Sequence, residues 1–193
     1  MSHISDLINR TLNGEGNSDQ HTMTIFSIVL QLKAQNILEL GIYEGNTSVP
    51  LAFGASLTGG KLTSVDNFVR AQNYPEDLND YRTVIQKDSI KFLEEEVEKK
   101  SYYDLVYIDD WHEYSHVKRE LELIDKLIDN KSIILLHDLM AFTYPVYHQP
   151  LEANKDTEWG EGGPTRAVFE LNKDHWEWST IPVNNGLTIL RRI

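Results

Sequence analysis

The stretch Val106 to Leu121, VYIDDWHEYSHVKREL, places two adjacent acids, Asp109 and Asp110, ahead of two histidines, His112 and His116. A second run, SIILLHDL, ends on His137 and Asp138. Neutral imidazole accepts protons near pH 7, and carboxylates beside it tune that behaviour or act as ligands. If both apolar runs are strands that end on one sheet edge, then Asp109, Asp110, Asp138, His112 and His137 share a rim. That density of titratable groups points to chemistry rather than binding alone. His116 reads as a residue of a solvated helix face.

A third stretch, ILELGIYEGNTSV from Ile37 to Val49, breaks an apolar run with Gly41 and Gly45 and carries an acid, Glu39, inside it. Glycines after a strand permit positive backbone angles and let a ligand come close to the chain. The spacing is G-x-x-x-G, not the G-x-G-x-x-G that seats a pyrophosphate on a helix N-terminus, so a cofactor without phosphates is expected. Asp66 lies roughly twenty residues past Gly45, where α/β folds place a carboxylate to bind ribose hydroxyls. Asp88 and Ser89 precede an amphipathic run and suit a helix N-cap.

Positioning these groups requires alternating strands and helices. Short β-rich runs at 36–41, 61–66, 83–87, 103–109 and 131–137 alternate with helical patterns at 45–55, 89–98 and 114–128. This predicts βαβ units and a doubly wound, mostly parallel sheet covered on both faces. Two helices precede it, on Ile4, Leu7, Ile8 and Leu12 and on the apolar cluster from Ile25 to Leu32. A short helix is expected around Glu76 to Tyr81. After an irregular stretch from Leu139 to Gly163, a helix at Thr165 to Leu171 leads to strands at 176–183 and 187–192. Asn184-Asn185-Gly186 between them is a hairpin signal, making seven strands with an antiparallel pair at the end. The expected organisation is one domain over 1–193, with N-terminal helices at 1–34 and the α/β core at 35–193.

Composition narrows the partners. With 18 basic and 30 acidic side chains the chain carries a formal charge of -12, which repels a phosphate backbone and argues against nucleic acid. It has no cysteine, so disulfides and thiolate catalysis are excluded. The polar N-terminus MSHISDLINR is unlike a secretory signal, and no apolar run is long enough for a bilayer, so no membrane association and a cytoplasmic setting are expected. A small molecule is the expected partner, and the oligomeric state, homo-oligomer included, is left open.

Glu39-Leu40-Gly41, Gly45 and Thr47, followed by a strand ending on Asp66, resemble the class I S-adenosylmethionine-dependent methyltransferases, from about Gln35 to the end of the chain. The resemblance implies a Rossmann-like fold and S-adenosylmethionine as cofactor. It implies that Glu39, Gly41, Tyr43 and Gly45 wrap the methionine moiety, that Asp66 holds the ribose and that Asp88 and Ser89 face the adenine, with Thr47 and Ser48 as weaker candidates. Asp109 counts with the cofactor set as well as the catalytic one. Ile108-Asp109-Asp110-Trp111-His112-Glu113-Tyr114 is similar to the I-D-G-x-H-x-Y segment of one branch, with Asp110 in place of its glycine, and His137-Asp138 matches that branch's H-D strand end. Related catechol-type O-methyltransferases hold a divalent cation on an acid ending strand four and an Asp-Asn pair ending strand five. Asp109 and Asp138 match two of those positions as metal ligands for a cation such as magnesium, and Leu139 replaces the Asn. Methyl transfer to a hydroxyl needs an in-line nucleophile and a base. The resemblance implies Asp109, His112 and His137 as catalytic residues and an oxygen of a small polar molecule as acceptor, with Tyr144, His148 and Trp159 as candidate contacts. Rival readings are a nicotinamide oxidoreductase, which the glycine spacing disfavours, a non-catalytic cofactor-binding subunit, and a metal-dependent hydroxylase.

Overall fold

Side chains along a strand point alternately to the two faces of a sheet, and here both faces are apolar. In the computed structural model, which describes residues 2–16, 18–70, 74–140 and 162–193, this splits the core in two. Ile37 on β1 (Asn36–Leu40), Leu105 and Tyr107 on β4 (Leu105–Ile108) and Leu135 on β5 (Ile133–His137) pack with α1 (His3–Asn13), α2 (Thr22–Leu32) and α3 (Ser48–Thr58). Leu38, Leu40, Val106, Ile108, Ile134 and Leu136 pack with α4 (Ser89–Lys99), α5 (Tyr114–Ile124) and α6 (Gly163–Phe169) on the other side.

The remaining strands are β2 (Lys61–Asp66), β3 (Arg82–Gln86), β6 (Trp176–Ile181) and β7 (Leu187–Arg192). The sheet order is β3-β2-β1-β4-β5-β7-β6. β1 to β5 pair in parallel, and β7 runs antiparallel to both β5 and β6. The predicted seven-stranded sheet with a terminal antiparallel hairpin is therefore the observed one. Chain order reverses between β1 and β4, the place where such sheets leave a crevice at their carboxyl ends.

Element boundaries differ in two informative places. α3 starts at Ser48 rather than near Gly45, because Gly45 to Thr47 are used in the turn. α5 ends at Ile124 rather than 128, yet Leu127 and Ile128 stay buried, so the apolar stripe outlasts the helix. Residues 141–161 of the predicted irregular stretch lie outside the described residues, and with them Tyr144, His148 and Trp159. At the hairpin, Asn184, Asn185 and Gly186 all take positive φ (46°, 65° and 89°), the conformation Asn and Gly tolerate best. Among the described residues, no helix is long and apolar enough to cross a membrane.

Candidate active site

The β1 turn closes onto the end of β4. Gly41 has φ 87°, and a Cβ there would lie 2.1 Å from the Asp109 carbonyl oxygen and 2.8 Å from the Asp110 Cα. This glycine is therefore demanded by a backbone neighbour, whatever ligand also approaches it. Gly45 and Tyr43 also take positive φ, 79° and 46°. Tyr43 is exposed, and the Arg70 guanidinium lies 4.3 Å over its ring.

Glu39 is placed differently from expectation. It is fully buried, and its carboxylate accepts hydrogen bonds from Thr47 Oγ1 (2.7 Å), Ser48 Oγ (2.7 Å) and Ser64 Oγ, with Arg82 Nη2 at 3.9 Å. Burial pushes its pKa up, against Arg82 and the three hydroxyls. The side chain faces its own sheet and the start of α3, so it shapes the turn and does not line the cleft. Asp66 also serves the turn: one oxygen accepts from the backbone N–H groups of Ile42 (2.7 Å) and Tyr43 (3.1 Å), the other from Phe68 (2.9 Å).

The polar pair after β3 is likewise committed. Asp88 caps α4, accepting from Lys91 N at 2.9 Å. Ser89 is buried with its hydroxyl 2.9 Å from His116 Nε2, and it is not among the residues that line the cleft. His116 is not on a solvated face. It lies between Asp110 and Glu120, at 3.3 and 3.4 Å.

Asp109, His112, His137 and Asp138 do converge. His112 Nε2 is 3.0 Å from Asp138 Oδ2 and 3.3 Å from Asp109 Oδ1. His137 Nδ1 is 3.2 Å from Asp138 Oδ1 and 3.5 Å from Asp109 Oδ2, and Tyr107 donates its hydroxyl to Asp109 at 3.2 Å. His137 Nε2 donates to the Asn184 carbonyl at 3.0 Å, so the hairpin turn holds the ring. Burial disfavours charge on both imidazoles, but hydrogen bonds to Asp109 and Asp138 outweigh it, raising His112 to about 9 and His137 to about 10. The same contacts hold both carboxyls below their usual range, although burial alone would raise them.

Near neutral pH the expected neutral imidazole base is thus an imidazolium clamped by carboxylates. The two histidines differ in access. His112 lines the cleft, whereas the His137 side chain is fully buried below it.

The cleft itself has a volume of about 580 Å³, within the range of small-ligand sites. Gly41, Ile42, Tyr43, Asp109, Asp110, His112 and Asp138 form one wall. Thr47, a weaker candidate in the sequence, lines the cleft too, with Glu44; Gly16, Ser18, Asn46, Arg70 and Asn185 also line it, and sequence reasoning missed them. They arrive through tertiary ties: Arg10 bonds Asp19 (2.7 Å) and the Asn46 carbonyl (2.9 Å), and Asn184 Nδ2 donates to the Gly16 carbonyl (3.3 Å). The only early signal was the glycine-containing link between the N-terminal helices.

Asp109, His137 and Asp138 bring one ligand atom each to within 4.8 Å of one another. Two carboxylates and an imidazole fit a divalent cation, with water in the remaining positions. Leu139, at the position of an expected oxygen ligand, is buried, and His137 Nδ1 faces the site instead.

A glycine turn at the switch point of a 3-2-1-4-5-7-6 sheet, opening on a rim of carboxylates and imidazoles, defines a class I methyltransferase-type α/β protein. A family model described as a methyltransferase domain matches residues 38–139, and the chain belongs to that family. No curated protein matches the chain. Solved structures share the fold. An O-methyltransferase from Bacillus cereus in complex with SAH aligns with a TM-score of 0.71 at 16% identity, over 100% of this chain and 91% of that one. TomG from Streptomyces achromogenes, an O-methyltransferase in complex with SAM, gives 0.65 at 13%, over 100% and 90%. MycE, from the mycinamycin biosynthetic pathway and in complex with Mg, SAH and mycinamycin VI, gives 0.67 at 13%, over 99% and 54%.

Proposed function

We propose that this chain transfers the methyl group of S-adenosylmethionine to an oxygen of a small polar molecule, working as a single domain of N-terminal helices and α/β core. The observation that carries the reading is the convergence of Asp109, His112, His137 and Asp138 beside the Gly41 turn in a chain of the methyltransferase family. Oxygen as the acceptor draws support from the Bacillus cereus and Streptomyces achromogenes proteins of the same fold, both O-methyltransferases. A cytoplasmic setting belongs to the same proposal.

Gly41, Tyr43 and Gly45 form the turn that receives the amino-acid end of the cofactor, and Asp66 holds the turn while offering its remaining lone pairs to the ribose. Asp109 borders both cofactor and acceptor. Glu39 and Ser89 act from behind, by fixing the turn and His116. In the reaction the carbon–sulfur bond breaks as the carbon–oxygen bond forms, and the acceptor hydroxyl gives up its proton. His112 is the group placed to take it, because it reaches the cleft while His137 is sealed and serves to position Asp109 and Asp138. A divalent cation on Asp109, Asp138 and His137 would lower the acceptor hydroxyl's pKa when bound. The same charge would weaken the hold of Asp109 and Asp138 on the His112 proton, and so bring His112 towards the neutral form a base requires.

The test is incubation with S-adenosylmethionine and a panel of small hydroxyl compounds, with and without magnesium, read by mass spectrometry for a product heavier by one CH2. An O-methyl product that disappears in His112→Ala supports the assignment. Methylation of nitrogen alone, or cofactor binding without turnover on any acceptor, would overturn it, the latter in favour of a binding subunit.

A further inference from the structure

A second cluster lies on the opposite side of the Asp109–Asp110 pair. Where Asp109 turns towards β5, Asp110 turns towards α5, and its Oδ2 sits 3.3 Å from His116 Nε2. Glu120, one helical turn beyond His116 and on the same face, brings Oε1 to 3.4 Å from that same nitrogen. Ser89 Oγ, from the first residue of α4, is 2.9 Å from it. Three oxygens thus surround one nitrogen, which carries at most one proton to share among them.

Glu120 is the least satisfied member of the cluster. Its side chain is fully buried, and neither carboxylate oxygen meets a hydrogen-bond partner among the described residues. With only the His116 ring beside it, at 3.4 Å, a buried carboxylate is costly, and a divalent cation would offset its charge more fully. The spacing supplies a candidate. Ligands around a tetrahedral zinc at about 2.0–2.1 Å stand roughly 3.3–3.4 Å apart, which is the separation of His116 Nε2 from both carboxylates. All three ligand atoms lie within 4.8 Å of one another.

We propose that Asp110, His116 and Glu120 form a binding site for a divalent transition-metal cation of the zinc type, separate from the Asp109, His137 and Asp138 cluster. One imidazole and two carboxylates match zinc better than calcium, which takes six to eight oxygens. Asp110 lines the large cleft, which gives the ion a route in. Bound there, it ties two successive turns of α5 to Asp110 on the cleft wall.

The experiment uses the full chain, stripped with chelator, in an Asp138→Asn background that disables the other cluster. It is titrated calorimetrically with zinc chloride and spectroscopically with cobalt(II). We expect one zinc per chain and a tetrahedral cobalt absorption, with affinity falling at least tenfold and the absorption lost when Glu120→Gln is added. His116→Gln provides a second variant should the first fail to fold, as judged by circular dichroism. Zinc binding unchanged by Glu120→Gln or His116→Gln, or no uptake by folded protein, would overturn the proposal.

Discussion

Glu39 on β1 and Asp109 just past the end of β4, its paired strand, are carboxylates a few residues from the same crevice, yet they do opposite work. Glu39 is sealed, its oxygens met by the hydroxyls of Thr47, Ser48 and Ser64. Asp109 faces the cleft and is met by the imidazoles of His112 and His137. Hydroxyl donors satisfy an acid without offering a proton that leaves at neutral pH, whereas an imidazole partner carries one that can be exchanged. The partners of a buried acid, more than its type or its distance from the glycines, separate an acid that gives the turn its shape from one placed for chemistry.

The contrast can be broken at either end. Asp109→Asn removes the charge that organises both imidazoles, so turnover should fall about 10²- to 10⁴-fold in a protein with an unchanged circular dichroism spectrum. Full turnover in that variant would remove Asp109 from the chemistry. Glu39→Ala removes the buried acceptor shared by Thr47, Ser48 and Ser64 and the charge facing Arg82, and should cost about 3–5 kcal/mol of stability in urea denaturation. A loss below about 0.5 kcal/mol, the range of ordinary surface changes, together with weakened SAH binding, would instead place Glu39 against the cofactor.

Asp66 stands between the two cases, because it holds the backbone of Ile42 and Tyr43 at the cleft edge. Asp66→Ala should weaken SAH about tenfold to a hundredfold in calorimetry. Equal affinity would show that its bonds to the turn are its whole function.

A smaller effect sharpens the Asp109 side. His112 and His137 have folded-state pKa values raised from 6.5 to about 9 and about 10. Protonation therefore favours the folded state, and this contribution is complete below about pH 6.5 and lost as pH rises through 9 and 10. Urea midpoints of chelator-treated protein should decline over that window, less so in His112→Ala. A flat profile would mean that the carboxylates do not hold these protons.

The fold was legible because strand and helix periods alternate cleanly, and the Asp109, His112, His137 and Asp138 rim followed because parallel strands end on one edge. The role of Glu39 was hidden: strand periodicity shows that an acid is inside but not that residues 47, 48 and 64 bring it three hydroxyls. His116 was misread for a related reason. The spacing that makes a polar helix face looks the same whether that face meets water or, as here, Asp110 and Ser89. The cleft residues Gly16, Ser18 and Asn185 come from segments that Arg10 ties to the glycine turn and Asn184 ties to each other. No local pattern in the chain announces such a meeting.

The most direct test of the central claim is a calorimetric titration of the purified protein with S-adenosylmethionine, SAH and NAD in parallel. Micromolar binding of both adenosyl ligands at one site per chain, with no heat from NAD, is the predicted result. No binding of either adenosyl ligand by folded protein would contradict the account, and would leave the glycine turn as a closure between β1 and β4.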